Sequence, residues 1–590
     1  MNAREGRRIT ILFGSETGNS EDLSERISRE AKRRHFRAKL FCMDEYPIVN
    51  LIEERLVVFV CSTTGQGEEP ENMKQFWKFL LRKNLPSNSL QNMKYSVIGL
   101  GDSSYRNFNY VAKKLHKRLM QLGGNPFMPL ALGDDQHEYG YDGMINPWLD
   151  KFWSKLLEMY PLPNGTRIVG EDVLWPPRFK VELVEEDGVG GKNPLDGDRS
   201  EHRNVVTLIS NRRVTSPDHF QDVRLVRLNV EDSDILYSPG DVAVLEPSNL
   251  EKNVDAFLKL LNINPEQKFL VCQNDPDISV PDKLRRMLSV RECAEKYWDI
   301  SSIPRRSFFE LFWHFSQSEL EKEKLVEFCQ PEGQEELYSY CNRPRRTILE
   351  VLQDFPHTTP HVPFEYFFDL IPPIKPRLFS IASSPLAHPG EVHLLVAVVK
   401  YRTKLHTPRE GLCSNWLASL QPDDNIRLSL SIKKGSISLP LGNKPLIMIG
   451  PGTGCAPFRS FIHERCCKNI GNNYLFFGCR RKAGDFYFES EWNNLIQKNM
   501  LNLYAAFSRD QEEKVYVQHK MLENKELIWN LINDHGAWIY VAGNAKQMPQ
   551  DVRSALLNIV KDCGKLNADE AENYLKNLEK NKCLQYEVWS

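Results

Sequence analysis

The sequence predicts a multidomain chain of mixed α/β and β class, in which two doubly wound parallel sheets flank a strand-rich barrel and a helical insertion interrupts the barrel. Three observations carry this. In residues 1–160, and again in 441–590, short apolar runs are each followed by a polar loop and then an amphipathic stretch at helical spacing, as parallel strands covered by helices require. Within 203–440, runs on either side of a central block alternate with period two, the mark of antiparallel strands. The block itself, 253–371, has helical spacing broken by prolines.

The first region opens with ITILF at 9–13 before GSETGNS, then LVVFVC at 56–61 before STTGQGEEPEN, then YSVIGL at 95–100 before GDSSYRNF. All three polar loops follow strands, so they share one edge of the sheet, where ligands of such sheets bind. At 161–202 PLPNG and WPP punctuate the chain and EEDGVGGKNPLDGDRSEH has no periodicity, which reads as a linker and a mobile loop. The barrel runs are NVVTLISNRRVT, FQDVRLVRLNV, GDVAVLEP, RLFSIASS, EVHLLVAVVKY and IRLSLSI. In the last region PLIMIG, YLFFGC, LNLYAAF and AWIYVAG each precede a polar loop.

Bulk properties narrow the function. With 590 residues, 41% hydrophobic and 26% charged, the chain has room for about four domain-sized units. A formal net charge of -2 disfavours nucleic-acid binding as the main role. Thirteen cysteines with no CxxC pair and no His cluster at ligand spacing point away from a metal site or a disulfide framework and toward reduced thiols. The aliphatic run LLVAVV at 394–399 is far short of the roughly 18 residues of a membrane span. The basic start MNAREGRR runs straight into ITILF, which argues against a cleavable presequence. The expectation is a cytoplasmic chain without a membrane anchor.

Several loops carry candidate chemistry. SETGNS at 15–20 places hydroxyls and backbone donors at a helix start, suited to a terminal phosphate; the alternative is Ser20 capping its own helix. STTG at 62–65 and LGDSSYRNFN at 100–109 fall on the same edge, and Tyr105 and Phe108 offer faces for a flat ring. GPGTGCAPF at 450–458 is a Gly-rich turn between strand and helix. In SRDQEEKVYVQ at 508–518, Ser508, Arg509, Lys514 and Tyr516 supply cations and hydroxyls that fit a 2'-phosphate, hence NADPH; scattered surface basics are the alternative. Arg377 and the helix opened by Gly411 both suit a pyrophosphate.

These motifs, with the terminal VWS, stand in the order seen in the diflavin reductases, and the sequence closely resembles that family over nearly its whole length. The resemblance implies a flavodoxin-like FMN domain at 1–160, the linker at 161–202, an FAD-binding barrel with a helical connecting insertion at 203–440, and a ferredoxin-reductase-like NADPH domain with a flavin-capping tail at 441–590. It assigns FMN to Ser15, Glu16, Thr17, Gly18, Asn19 and Ser20, to Ser62, Thr63, Thr64 and Gly65, and to Asp135. The third FMN loop is Leu100, Gly101, Asp102, Ser103 and Ser104, then Tyr105, Arg106, Asn107, Phe108 and Asn109. FAD falls to Arg345, to Arg377, Leu378, Phe379 and Ser380, and to Gly411, Leu412, Cys413 and Ser414. NADPH falls to Thr453, Ser508, Arg509, Lys514, Val515, Tyr516, Val517, Gln518 and Asp551.

Ser380, Glu587 and Trp589 are implied as catalytic, with Trp589 the aromatic that stacks on the FAD ring. Three positions depart from microsomal relatives: Thr64 stands where they carry an aromatic, Ala542 where they carry a cysteine, and Glu587 where they carry Asp. The implied reaction passes electrons from NADPH to FAD to FMN and on to a one-electron acceptor, an anamorsin-type iron–sulfur protein of cytosolic iron–sulfur cluster assembly. A soluble reductase for hemoproteins and a redox-silent flavodoxin-like scaffold are the rival readings.

Overall fold

The computed structural model describes residues 7–65, 67–105, 107–184, 205–422 and 426–589. The chain divides into two compact units, 1–191 with 252–373 and 192–251 with 374–590. The segment 185–202, expected to be mobile, lies outside the described residues. No helix among the described residues is long and apolar enough to cross a membrane.

The first unit contains a parallel sheet in the order Arg37–Cys42, Arg8–Gly14, Leu56–Ser62, Lys94–Gly101, with Asn125–Pro126 and Ala131–Asp134 both pairing with Lys94–Gly101. Successive side chains enter two different cores: Ile9, Ile11, Phe13, Val58 and Val60 face one, and Leu12, Val57, Phe59 and Cys61 face the other. The chain winds one way from Arg8–Gly14 and the other way from Leu56–Ser62. A crevice therefore opens at the strand ends between them, where the loops Ser15–Gly18 and 63–65 begin.

The stretch expected as a linker contributes a strand. Phe179–Val184 pairs antiparallel with Lys268–Gln273, which also pairs with Leu288–Ser289. Phe179 sits in an aromatic core around Trp298, Phe257, Phe367 and Phe368, and burial of that one ring outweighs the unpromising flanks WPP and EEDG. The helical insertion groups with the flavodoxin-like sheet, and ion pairs bind the two. Arg178 bonds Glu25 at 3.0 Å and Asp369 at 2.8 Å, Lys32 bonds Asp275 at 2.7 Å, and Arg26 lies 3.6 Å from Glu310.

In the second unit six antiparallel strands run in the order Arg377–Ser380, Val242–Leu245, Arg427–Lys433, Val205–Arg213, Val223–Asn229, Glu391–Ala397. An antiparallel bridge from Ile381 to Leu394 joins the two ends, closing the sheet into a barrel. The second parallel sheet has the order Asn502–Phe507, Asn473–Cys479, Leu446–Ile449, Trp538–Asn544, Leu584–Trp589. Its winding reverses beside Leu446–Ile449, which delivers the Gly-rich turn to the crevice. Buried charge ties barrel to sheet: Arg459 grips Glu491 with both ends of its fork at 2.8 and 2.9 Å and donates to the Ala382 carbonyl at 2.7 Å, two residues beyond Ser380.

Candidate functional site

The first loop carries an unsatisfied helix start. The helix Asn19–Arg33 is preceded by Gly18 at φ 93°, in the left-handed region, and has no side-chain cap. Ser20 therefore does not cap its own helix. Its hydroxyl is fully buried without a hydrogen-bond partner, and the Ser62 hydroxyl in the second loop is likewise buried and unpartnered. Buried orphan hydroxyls beside free backbone donors are what a bound phosphate and ring would satisfy, so these residues fit FMN.

The remaining FMN positions divide by what their side chains touch. Tyr105 and Phe108 are partly buried at the rim, with the Lys113 ammonium 5.3 Å from the Phe108 ring centroid. Asp102 and Asp134 hold loops together: Asp134 accepts from the Ser103 and Gln136 amides at 2.9 and 3.0 Å, and Asp102 from the Ser104 amide and the Gln136 side chain at 2.8 and 3.0 Å. Leu100 turns into the core, and Asn109 is fully buried with its amide nitrogen on the Gly133 carbonyl at 2.9 Å. Both shape the loop from behind. Burial raises the Asp135 carboxyl, helped by Asp102 and opposed by Arg345. Arg345 thus lies in the first unit near Asp135. Arg106 lies outside the described residues.

In the second unit the edge strand Arg377–Ser380 pairs with Val242–Leu245, placing Leu378 and Ser380 on the outer face and Phe379 toward the barrel core. The Arg377 guanidinium acts on the buried Cys413 thiol, whose pKa burial pushes up to about 12. RLFS and GLCS therefore converge, although Cys413 itself faces the core. Ser414 accepts from the Val399 amide at 3.0 Å, fastening the helix Leu412–Ser419 to a hairpin where Tyr401, Lys400 and Asn415 line a cleft.

The tail of the chain is a strand. Leu584–Trp589 pairs parallel with Trp538–Asn544, and the Ala545 amide donates to the Trp589 carbonyl at 2.8 Å. Gln585, Glu587 and Trp589 share one face of this strand while Tyr586 packs into the opposite core. On that shared face Ser380 donates its hydroxyl to Glu587, Ser436 reaches the other oxygen at 3.5 Å, and Ala542 is the register partner of Glu587. Serine, carboxyl and indole are brought to one side from positions 380, 587 and 589.

Burial pushes the Glu587 carboxyl up to about 7 from 4.5, against the hydrogen bonds from Ser380 and Ser436 and aided by Asp241. The unfolded chain releases this proton near 4.5 and the folded one near 7. The cost to stability is therefore absent below pH 4.5 and complete above pH 7, where it reaches about 3 kcal/mol. Glu587→Gln, which cannot ionise, is expected to gain stability relative to the parent by roughly that amount between pH 4.5 and 8. Thermal unfolding of both proteins across this range checks it; parallel curves would show that Glu587 does not titrate in the site.

At the second crevice, a Cβ on Gly454 would come within 2.2 Å of the Ala542 carbonyl, so only glycine lets this turn pass the neighbouring strand. Thr453 stands partly exposed in the same turn. Ser508 is buried and gives both its amide and its hydroxyl to the Cys479 carbonyl, while the Arg509 amide bonds the Arg480 carbonyl at 2.8 Å. Arg509, Lys514 and Tyr516 are exposed, and Gln518 reaches Asp551 at 3.3 Å. Val517 is a core residue, and Val515 packs beside it.

The backbone pairing of 479–480 with 508–509 brings up a cationic loop that motif reading passed over. Arg480, Arg481 and Lys482 follow the strand Asn473–Cys479, and the Asp485 carboxylate pins the first two through their amides at 2.9 and 2.7 Å. The Arg480 guanidinium lies 4.0 Å from the Phe220 ring centroid. The run RRK directly after an apolar strand was the available signal.

Comparisons with known proteins agree with this layout. Residues 11–148 match the flavodoxin family, 197–416 the FAD binding domain and 448–554 the oxidoreductase NAD-binding domain. NADPH-dependent diflavin oxidoreductase 1 of Xenopus laevis is 52% identical, with 99% of this chain and 100% of the relative covered. The protein of the same name from Bos taurus is 48% identical and that from Arabidopsis thaliana 40%, each covering 99% of both chains.

Proposed function

The chain belongs to the NADPH-dependent diflavin oxidoreductase family, and from that premise we propose that it supplies single electrons to an anamorsin-type iron–sulfur protein of cytosolic iron–sulfur cluster assembly. It is an NADPH-dependent oxidoreductase with FMN, FAD and NADPH as its cofactors. Bound in the chain, the two flavins would take an electron pair from NADPH and release it one electron at a time, a conversion that belongs to the cofactors and not to side chains.

The chain's own residues bind, orient and handle a proton. The loops at 15–20, 62–65 and 100–109, with Asp135, hold FMN; Arg377–Ser380 and Gly411–Ser414 hold FAD; Thr453, 508–509, 514–518 and Asp551 hold NADPH; Arg345, expected among the FAD residues, lies instead near Asp135 in the first unit. The observation that carries this reading is the meeting of Ser380, Glu587 and Trp589 on one face of the second unit. Glu587, titrating near neutrality, keeps a proton within reach of the Ser380 hydroxyl and fixes the direction in which that hydroxyl points.

The acceptor rests on the family likeness. Cytoplasmic placement is supported by thirteen free cysteines. The acidic residues in or beside the FMN loops, Glu68, Glu69, Glu71, Asp134, Asp135, Glu138 and Asp142, carry less weight as a guide for the partner: Glu69 pairs with Lys114 at 2.5 Å, Glu71 with Lys74 at 2.6 Å and Asp142 with Arg26 at 3.6 Å. The association rate should therefore depend only weakly on salt.

The test is anaerobic mixing of NADPH-reduced protein with an anamorsin-type protein and, separately, with a soluble hemoprotein. Reduction of the iron–sulfur protein is expected to be at least about tenfold faster, a discrimination of ~1.4 kcal/mol in the barrier. Faster reduction of the hemoprotein would replace the proposed acceptor by a general reductase function, and a protein isolated without flavin would favour the scaffold reading.

A further inference from the structure

The helix that leaves the Gly-rich turn grips the chain just beyond Ser380. It spans Ala456–Cys467 and begins directly after Gly452–Cys455, the turn that contains Thr453. Arg459, Ser460 and Glu464 fall on one face of it and are all buried. Each binds one of three consecutive residues. Arg459 donates from a terminal nitrogen to the Ala382 carbonyl at 2.7 Å, Ser460 donates to the Ser383 carbonyl at 2.5 Å, and the Ser384 hydroxyl donates to Glu464 at 2.6 Å. Apolar contacts slide by fractions of a residue; a row of directional bonds admits one register.

Arg459 is the centre of the row. At 4% exposure it places its fork on Glu491 at 2.8 and 2.9 Å, and the nitrogen bonded to Ala382 also lies 3.2 Å from His393 Nδ1. A guanidinium only donates, so Nδ1 accepts and the ring proton sits on Nε2, which donates to Glu391 at 2.6 Å. The other titratable groups around this ring are Arg227 on Glu391, His388 at 4.4 Å between ring centroids, Tyr237 on Ser383, Glu464 on Ser384, and His463, which shares Glu491 with Arg459 at 2.7 Å. Burial holds His393 down at about 4, opposed by Glu391 and aided by Arg459. A buried ion pair adds little stability over an apolar pair of the same volume, so stability alone does not account for an arginine here.

We propose that Arg459 is a positioning residue for hydride transfer: through Ala382 it keeps the Ser380 hydroxyl in register with the turn Gly452–Cys455, so that one helix places both the nucleotide and the hydroxyl that meets it. The inference rests on the assignment of Ser380 to hydride transfer and of the Gly-rich turn to NADPH.

Arg459→Met combined with Glu491→Gln removes the ion pair as a unit and leaves no unpaired buried charge. In full-length holoprotein this variant is expected to slow FAD reduction by NADPH, followed in a single turnover and expressed per bound FAD, by about 10- to 100-fold, as a misplacement of roughly 1 Å does. NADP+ affinity should stay that of the parent. Arg459→Lys, which keeps the charge and loses the fork, should recover part of the rate. Arg465→Gln is the control: this buried arginine lies on the same helix but bonds Asn473 at 2.7 Å and the Lys444 carbonyl at 3.0 Å, so its loss should lower the melting temperature and leave the rate per FAD unchanged. Removing the guanidinium also frees His393 Nδ1, and NMR of labelled histidine should find His393 taking up its proton at a higher pH than the parent's value of about 4.

An unchanged rate per FAD, an equal loss in Arg465→Gln, or a parallel loss of NADP+ affinity overturns the proposal, and so does a parent His393 that titrates near 6.5, since the contact with Arg459 would then not be made. Ser380→Ala separates the two possible failures. If it slows FAD reduction while the Arg459 variants do not, Ser380 keeps its role without Arg459. If it has no effect, the assignment of Ser380 falls with the proposal. Should the double variant not fold, Arg459→Lys decides: a rate equal to that of the parent overturns the positioning role.

Discussion

Replacing Arg509 by Ala is expected to weaken NADPH binding by about 10- to 150-fold and to leave NADH nearly untouched. The two nucleotides differ by the 2'-phosphate alone, so a side chain that meets this group contributes to one and not the other. Arg509 is suited to that task because its two parts are separable. The backbone amide is fixed on the Arg480 carbonyl at 2.8 Å, which places the loop, while the guanidinium is exposed and has no hydrogen-bond or ion-pair partner among the described residues. Truncation at Cβ therefore removes the charge without releasing the loop. Lys514 and the neighbouring Arg480, Arg481 and Lys482 remain, so raising salt should still weaken NADPH in the variant, with a shallower slope than in the parent. Titration of both nucleotides into oxidised protein is the measurement, and equal losses would assign Arg509 a purely structural role.

Removing Trp589 and Ser590 is expected to shift nucleotide preference toward NADH, with slower turnover of NADPH. Glu587 and Trp589 stand two positions apart on one face of a strand, and Glu587 already touches Ser380, so the indole belongs to the same side as the Ser380 hydroxyl. If that indole covers the FAD ring, it competes with the nicotinamide for one flat surface. NADPH is anchored at its other end through the 2'-phosphate; NADH lacks that anchor and depends more on the nicotinamide, so it gains more when the indole is gone. Truncation also breaks the bond from the Ala545 amide and exposes part of the core beside the last strand. Some loss of thermal stability is therefore expected in any case and does not decide the question. The ratio of kcat/KM for the two nucleotides does, and an unchanged ratio would end the gating role of Trp589.

The doubly wound regions and the barrel were legible because each rests on local periodicity. Six barrel runs read with period two are the six strands of the closed sheet, and the polar loops read after apolar strands fall at the carboxyl ends of the two parallel sheets. Failures of the reading have a common physical origin. Phe179–Val184 reads as linker because its pairing partner, Lys268–Gln273, lies far along the chain and its neighbours are Pro- and Gly-rich. Leu100, Asn109, Cys413 and Val517 fall among the expected cofactor residues because they sit within the motifs, yet a motif specifies a loop and not the direction of each side chain within it. Leu100, Cys413 and Val517 point into hydrophobic cores and Asn109 bonds the neighbouring loop, so they support the sites through the backbone.

By itself the sequence determined the classes of sheet and the loops that carry chemistry, since these follow from residue types at short spacing, and through its resemblance to a known family it implied the three cofactors. Tertiary structure alone decided which distant residues meet. Ser380 and Glu587 are 207 positions apart and Arg305 and Asn19 are 286 apart, and no periodicity links such pairs. They meet because a parallel strand at the end of the chain turns alternate residues toward the barrel edge, and because the insertion docks against the first helix through partly buried ion pairs. The environments of those residues were decided at the same level: whether the Glu587 carboxyl titrates near 4.5 or near 7 depends on how much water the packed neighbours exclude, and that is a property of the assembled fold.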